Sequence, residues 1–253
     1  ILPLLTPVLY GQPISQQDPY YKLPPAAIGY DGSYLVVQDY ASIHRVELSP
    51  GATPTLGQEL SLPAGITAVW CLQAPAPQTD PSRIVALASR TDGATDHYCL
   101  LRSVDFGTTW EVVTSNALSD AAFDVVGDYW RAPLRCMQWL PDGTHGWIWG
   151  SAGVVRTSNG GDTWEVAYRS PVDGDADLKN DERVNAVGFR DPDNGIASLG
   201  NYYAQKLYQT TDGGKTWNYV FLALGQNKAI QISWAGNEWR ILSADPFKPL
   251  DQE

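Results

Sequence analysis

Residues 210–217 read Thr-Thr-Asp-Gly-Gly-Lys-Thr-Trp, and this stretch decides the fold. Nearly the same residues stand at 157–164, as Thr-Ser-Asn-Gly-Gly-Asp-Thr-Trp, and at 103–110, as Ser-Val-Asp-Phe-Gly-Thr-Thr-Trp. The tryptophans that end the three copies are about 53 residues apart, and a fixed period of this size is typical of repeat architectures. We call each copy a box; the shared pattern is Ser/Thr-x-Asp-x-Gly-x-Thr-Trp, with Asn159 replacing Asp in the middle copy. The boxes therefore predict a chain built from similar units.

Each box has the residue types of a tight turn between two strands. An Asp or Asn side chain can cap the backbone amides of its own turn, and glycine tolerates a positive φ. The threonine is expected to start the next strand, and the tryptophan to cover the neighbouring sheet with its ring. The alternative is a carboxylate triad for catalysis or metal binding, but each Asp is expected to be used by its own turn. The positions interpreted as structural are Ser103, Asp105, Gly107, Thr109, Trp110, Thr157, Asn159, Gly161, Thr163, Trp164, Thr210, Asp212, Gly214, Thr216 and Trp217.

The composition limits the classes of function. The 253 residues carry a net charge of −11, which argues against nucleic acid or an anionic membrane as the main partner. No apolar run approaches the length of a membrane span. The three cysteines show neither CxxC nor Cys/His spacing. We therefore expect them to act as small buried hydrophobic residues, and we expect no metal site and no cofactor.

The organisation of the chain predicts an all-β fold. Each unit reads as four short strands separated by turn residues, and four-stranded units around a channel form a β-propeller. We predict antiparallel four-stranded blades with the boxes in the third-to-fourth-strand turns. Five blades are expected, with six blades or a partial ring as alternatives. A single domain over 1–253 is predicted, with blades at 24–62, 64–114, 133–169, 183–222 and 228–245, and an N-terminal strand at 4–10 that closes the ring.

The boxes resemble the Asp box of bacterial neuraminidase repeats. Residues 184–191 together with 208–217 are similar to the repeat of photosystem II assembly/stability factors, and residues 134–168 resemble it as well. The likeness covers roughly residues 66–221. It implies a non-enzymatic propeller that holds partner proteins, of a type also found in secreted proteins and phage virion proteins.

Sialidases and some endoglucanases share the box, which makes a sialidase-like glycoside hydrolase or a glycan-binding propeller the alternative. Sialidase-like enzymes carry an N-terminal Phe/Tyr-Arg-Ile-Pro element, and only Arg131, in Trp-Arg-Ala-Pro at mid-chain, echoes it. We therefore expect no catalytic residues and no enzyme activity. A photosynthetic complex assembly factor is the second alternative.

Partner binding is predicted on the face opposite the boxes, where connections 115–133 and 170–183 are long. Aromatic residues beside arginine resemble a protein interface, could stack on a glycan, or could only pack over the channel mouth. The acidic run 173–177 begins like a Ca²⁺ loop, but Leu178 and Val184 replace its required Gly and Glu, so a mobile acidic loop is favoured. The candidate binding residues are Tyr129, Trp130, Arg131, Asp173, Asp175, Asp177, Glu182, Arg183, Tyr202 and Tyr203.

These residues predict protein partners in a larger assembly, with a glycan as a further possibility. Neither nucleic acid nor a membrane span is expected. The acidic, lysine-poor composition favours an extracellular or virion surface, with periplasm or thylakoid lumen as alternatives.

Overall fold

The computed structural model describes residues 26–30, 34–39, 42–47, 57–75, 80, 82–92, 95–113, 136–150, 153–169, 184–200, 205–222 and 228–244. Within these residues every regular element is a strand, which confirms the all-β prediction. The strands are β1 (Ala26–Tyr30), β2 (Tyr34–Asp39), β3 (Ser42–Glu47), β4 (Ile66–Gln73), β5 (Ile84–Asp92), β6 (Thr95–Ser103), β7 (Glu111–Val112), β8 (Cys136–Trp139), β9 (Gly146–Gly150), β10 (Gly153–Thr157), β11 (Glu165–Arg169), β12 (Val184–Phe189), β13 (Gly195–Gly200), β14 (Gln205–Thr210), β15 (Asn218–Leu222), β16 (Lys228–Ala235) and β17 (Glu238–Ala244).

The strands form five antiparallel sheets, each following chain order. β4–β7, β8–β11 and β12–β15 are four-stranded, β1–β3 has three strands and β16–β17 has two. First strands meet at three junctions, β1 with β4, β4 with β8 and β12 with β16, while between the third and fourth sheets β12 contacts β9. Small four-stranded sheets packed in this way are the blades of a β-propeller. The boxes join third to fourth strands, as predicted.

The first sheet differs from its prediction at its outer edge. The four-stranded blade predicted over 24–62 requires a full fourth strand near its end, but pairing there is limited to a bridge between His44 and Glu59. The Leu60 N–H donates to the Ile43 carbonyl at 2.8 Å, and Pro63 soon follows with no N–H to extend the ladder. The predicted strand 4–10 lies outside the described residues, so the closure and the number of blades stay predictions.

The core lies between the sheets, and the box tryptophans help to fill it. Trp164 packs against a buried cluster shared by the second and third sheets, with its ring edge-on to Trp139 at 5.9 Å. Between the third and fourth sheets, the rings of Trp147 and Phe189 stack at 3.8 Å. Trp217 meets Phe189 edge-on at 6.1 Å. Trp164 and Trp217 thus pack at the junctions between sheets, and each ring meets an aromatic residue from the first strand of its own sheet.

Glutamine side chains also join neighbouring sheets. Gln138 donates from Nε2 to the Phe189 carbonyl at 2.8 Å and accepts from the Phe189 N–H at 2.7 Å. Gln73 accepts from the Trp139 N–H at 3.1 Å in the same way, one sheet earlier. In the fourth sheet the corresponding position is Gly188. A side chain has no room there, because a Cβ would lie 2.6 Å from the Ile232 carbonyl oxygen. The last junction is thus a direct approach of two backbones.

The two ends of each sheet are distinct. Box amides donate to the first-to-second-strand turn of their own sheet, from Gly160 to the Thr144 carbonyl at 2.8 Å and from Gly213 to the Asp193 carbonyl at 2.9 Å. Boxes and these turns therefore share one end, the box face. The antiparallel strand order puts second-to-third-strand turns and the connections between sheets at the other end, the far face.

Candidate functional site

The predicted binding residues fall on connections whose flanking strands end at the far face. Residues 114–135 run from the end of the second sheet to β8, and 170–183 run from β11 to β12. All ten candidate residues, from Tyr129 to Tyr203, lie outside the described residues, as does the acidic run 173–177. Their arrangement as a site stays a prediction.

The far-face end of the fourth sheet is held by buried polar side chains. Gln205, only 1% exposed, accepts at Oε1 from the Ser198 hydroxyl at 2.7 Å. Asn185, also buried, donates from Nδ2 to the Gly200 carbonyl at 3.1 Å. Buried polar groups with partners fix the ends of strands, so these hydrogen bonds anchor β13 at Gly200 and β14 at Gln205. The sequence analysis missed these residues because single Asn, Ser and Gln residues carry no pattern.

The box carboxylates are occupied by their own turns. Asp105 Oδ1 accepts from the Thr109 N–H at 2.8 Å and from the Ser103 hydroxyl at 2.8 Å, while Oδ2 accepts from the Thr109 hydroxyl at 2.7 Å. Burial alone would raise the pKa of Asp105, but these hydrogen bonds from Thr109 and Ser103 outweigh it and lower the pKa. A carboxylate held in this way serves as a fixed acceptor in the turn. The threonines cap the turns, and the strands begin after the tryptophans rather than at the threonines.

The middle box shows what replacing Asp by Asn does. Asn159 Oδ1 still accepts from the Thr163 N–H at 2.9 Å, which preserves the turn. The outer contact is reversed, because Asn159 Nδ2 donates to the Thr163 hydroxyl oxygen at 2.7 Å. The Thr163 hydroxyl hydrogen is then no longer used within the box.

The box face carries a cleft of about 620 Å³ between the second and third sheets. Arg83 forms one wall, and it donates to the carbonyls of Gly143 at 3.2 Å and Gly160 at 2.9 Å. Arg102 forms another, paired with Glu111 at 2.6 Å and with Asp162 at 3.1 Å. Burial on its own would lower the pKa of Arg102, but these two carboxylates raise it. The charged groups of the cleft thus join the two sheets to each other.

Arg102 belongs to a series that the sequence analysis missed. An arginine occupies the equivalent third-strand position in three sheets, and each contacts the box of the next sheet. Arg45 donates to the Thr108 hydroxyl at 3.3 Å, and Arg156 donates to the Asp212 carbonyl at 3.1 Å. The fourth sheet has Gln209 there, and the last sheet has no box in its described residues. The signal was available in the sequence, since Arg102 and Arg156 each directly precede a box.

Within the described residues no helix is long and apolar enough to cross a membrane. Over the same ranges, no group of three or more His, Cys, Asp or Glu side chains could hold a metal ion. Cys71 and Cys99 are buried, as expected for small hydrophobic residues.

Comparison with known proteins gives likeness in structure only. No known protein family and no curated protein matches the chain. An ancestral GH74 enzyme has a TM-score of 0.52 and 12% identity, over 81% of this chain and 26% of that chain. PorZ, an essential surface component of the type-IX secretion system of Porphyromonas gingivalis, has a TM-score of 0.52 and 13% identity, over 87% of this chain and 25% of that chain. YCF48 bound to D1 peptide has a TM-score of 0.44 and 12% identity, over 91% and 65%.

The first two likenesses show the fold: the chain is a β-propeller. The chain spans about a quarter of the length of either protein. An enzyme and a secretion-system component share the fold at this level, so the fold is compatible with both kinds of activity.

Proposed function

We propose that this chain is a non-catalytic propeller that binds partner proteins through its far face, within a larger extracellular or periplasmic assembly. The observation that carries the proposal is the position of the two long connections, 114–135 and 170–183. Both leave and re-enter the sheets at the far face. Long segments on a rigid scaffold are where binding usually resides.

The chemistry of these connections suits a protein partner. Tyr129, Trp130 and Arg131 are consecutive, and Trp, Tyr and Arg are the residue types that dominate interface energetics. The buried pairs Asn185 with Gly200 and Ser198 with Gln205 hold the far-face end of the fourth sheet in place. The boxes contribute to the scaffold, because their carboxylates are already bound within their turns.

The experiment replaces Trp130 and Arg131 with Ala together and quantifies the proteins that co-purify with the chain from its native host. The control variant replaces Val104 and Lys215 with Ala, two exposed box-face residues. We expect one or more partners to be lost only in the far-face variant, with an unchanged thermal unfolding midpoint. An identical set of partners from all three proteins would contradict the proposal.

A glycan-binding or glycan-cleaving propeller is the second candidate. Asp173, Asp175 and Glu182 lie on the same far-face connection, and paired carboxylates about 5–10 Å apart are what glycoside hydrolysis needs. Incubation with sialylated and β-glucan substrates tests this candidate. Product release that disappears in the Asp173→Asn, Asp175→Asn or Glu182→Gln variant would favour it over protein binding.

A further inference from the structure

The outer strand of the fourth sheet, β15, presents a free edge. It pairs with β14 on one side, and no strand in the described part of the chain pairs with the other side. An unpaired strand edge offers a row of backbone donors and acceptors to any extended chain that can reach it. Proteins usually protect such edges with charged residues.

β15 lacks this protection, although other outer strands of the described sheets have it. Its sequence, Asn-Tyr-Val-Phe-Leu, contains no charge. The equivalent strand β11 carries Glu165 and Arg169, and β7 is only two residues long and includes Glu111. The outer strand β17 of the last sheet carries Glu238 and Arg240. Uncharged aromatic and branched residues at an edge favour strand pairing.

Two exposed side chains of β15 are large and apolar. Tyr219 is 57% exposed and Val220 is 52% exposed. The Tyr219 ring lies edge-on to Tyr208 of β14 at 5.9 Å, which holds it against its cross-strand neighbour. The β14–β15 pairing shifts register between Leu207 and Tyr208, and the β10–β11 pairing shifts in the same way between Val154 and Val155. This irregularity is therefore common to both edges and does not distinguish β15 from β11.

We propose that β15 is a docking edge, to which an extended segment of a partner protein adds as a further strand. Charge selects the kind of segment. The uncharged edge fits an uncharged core of alternating Thr and Val type, and the net charge of −11 favours basic flanks. The same charge opposes a second copy of this chain as the occupant. This surface is separate from the far-face connections and does not depend on their function.

The experiment measures binding of a fluorescent peptide, acetyl-Lys-Thr-Val-Thr-Val-Thr-Lys-amide, by anisotropy. The blocking variant is Tyr219→Lys, with Val220→Lys as a second variant should the first fail to fold. The matched control is Val166→Lys, since Val166 holds the equivalent register on β11 and is 42% exposed. A peptide N-methylated along one edge tests the backbone pairing directly.

We expect saturable binding with backbone amide NMR shifts confined to β14 and β15. Tyr219→Lys should weaken binding about tenfold or more, Val166→Lys should leave it within about twofold, and N-methylation should abolish it. Three results would overturn the proposal: no binding of the peptide, an equal loss of affinity in Tyr219→Lys and Val166→Lys, or an N-methylated peptide that binds as tightly as the unmodified one. A concentration-dependent dimer that Tyr219→Lys disrupts would overturn it in favour of a second copy.

Discussion

Asp212 offers the sharpest test of the role of the boxes. Its carboxylate accepts from the Thr216 N–H at 2.9 Å, from the Thr216 hydroxyl at 2.6 Å and from the Thr210 hydroxyl at 2.8 Å. Burial alone would raise the pKa of Asp212, but the hydrogen bonds from Thr216 and Thr210 lower it from 3.8 to about 2. The replacement Asp212→Asn keeps the acceptor for the Thr216 N–H, as Asn159 does naturally, and removes the charge.

The size of the effect follows from linkage. A carboxyl group whose pKa is lower in the folded than in the unfolded state stabilises the fold at every pH above its unfolded-state pKa. A drop from 3.8 to about 2 sets an upper limit of about 2 kcal/mol. The carboxylate is partly exposed to solvent, and screening reduces this to about 1 kcal/mol. That contribution is fully present above about pH 4 and is lost as the pH falls through about 2.

Urea unfolding of both proteins across the range from about pH 7 to about pH 2.5 measures this difference. We expect Asp212→Asn to be less stable by about 1 kcal/mol at neutral pH, with the gap closing below about pH 4. The reverse control, Asn159→Asp, should steepen the pH dependence. A gap that stays constant over the whole range would refute the role assigned to the carboxylate.

Further predictions concern the turns, the core and the sheet junction. Phe106 adopts a φ of 59° at the position where the other two boxes have glycine. Phe106→Gly should therefore raise the free energy of unfolding by up to about 1 kcal/mol, and a decrease of that size would exclude backbone strain at Phe106. Gly161→Ala should cost about 1–3 kcal/mol, because φ is 94° and the new Cβ would lie 3.1 Å from Leu100; an unchanged midpoint in urea would contradict this. Trp147→Ala removes the stacked partner of a core ring and should cost about 3–5 kcal/mol by thermal unfolding, with a much smaller loss counting against the packing. A double-mutant cycle of Arg102→Met and Asp162→Asn should give a coupling free energy of up to about 1 kcal/mol, and this value should shrink at about 1 M salt. A larger coupling free energy that does not respond to salt would exclude an exposed ion pair.

The sequence predicted the parts of this protein that depend on short stretches of chain. Within each box the hydrogen bonds join residues no more than four positions apart, as from Thr216 to Asp212, so residue type and spacing were enough. The same holds for the positive φ of Gly161 and Gly214. The period of the boxes then indicated four-stranded sheets, and the sheets observed at residues 66–112, 136–169 and 184–222 agree with it. The weaker first-sheet edge escaped prediction because a run of Gln, Glu and Leu does not show where a ladder stops.

The tertiary structure alone decided what joins the sheets and what they leave open. Gln138 binds the backbone of Phe189, and Arg83 binds the Gly160 carbonyl, across 51 and 77 positions of chain. Such partners depend on how whole sheets pack, and no local pattern encodes that packing. The edge of β15, which no strand among the described residues pairs, is of the same kind, because whether a strand has a neighbour depends on how the other sheets pack. Local hydrogen-bond chemistry thus determined the repeating unit, and the packing of distant units determined its junctions and exposed surfaces.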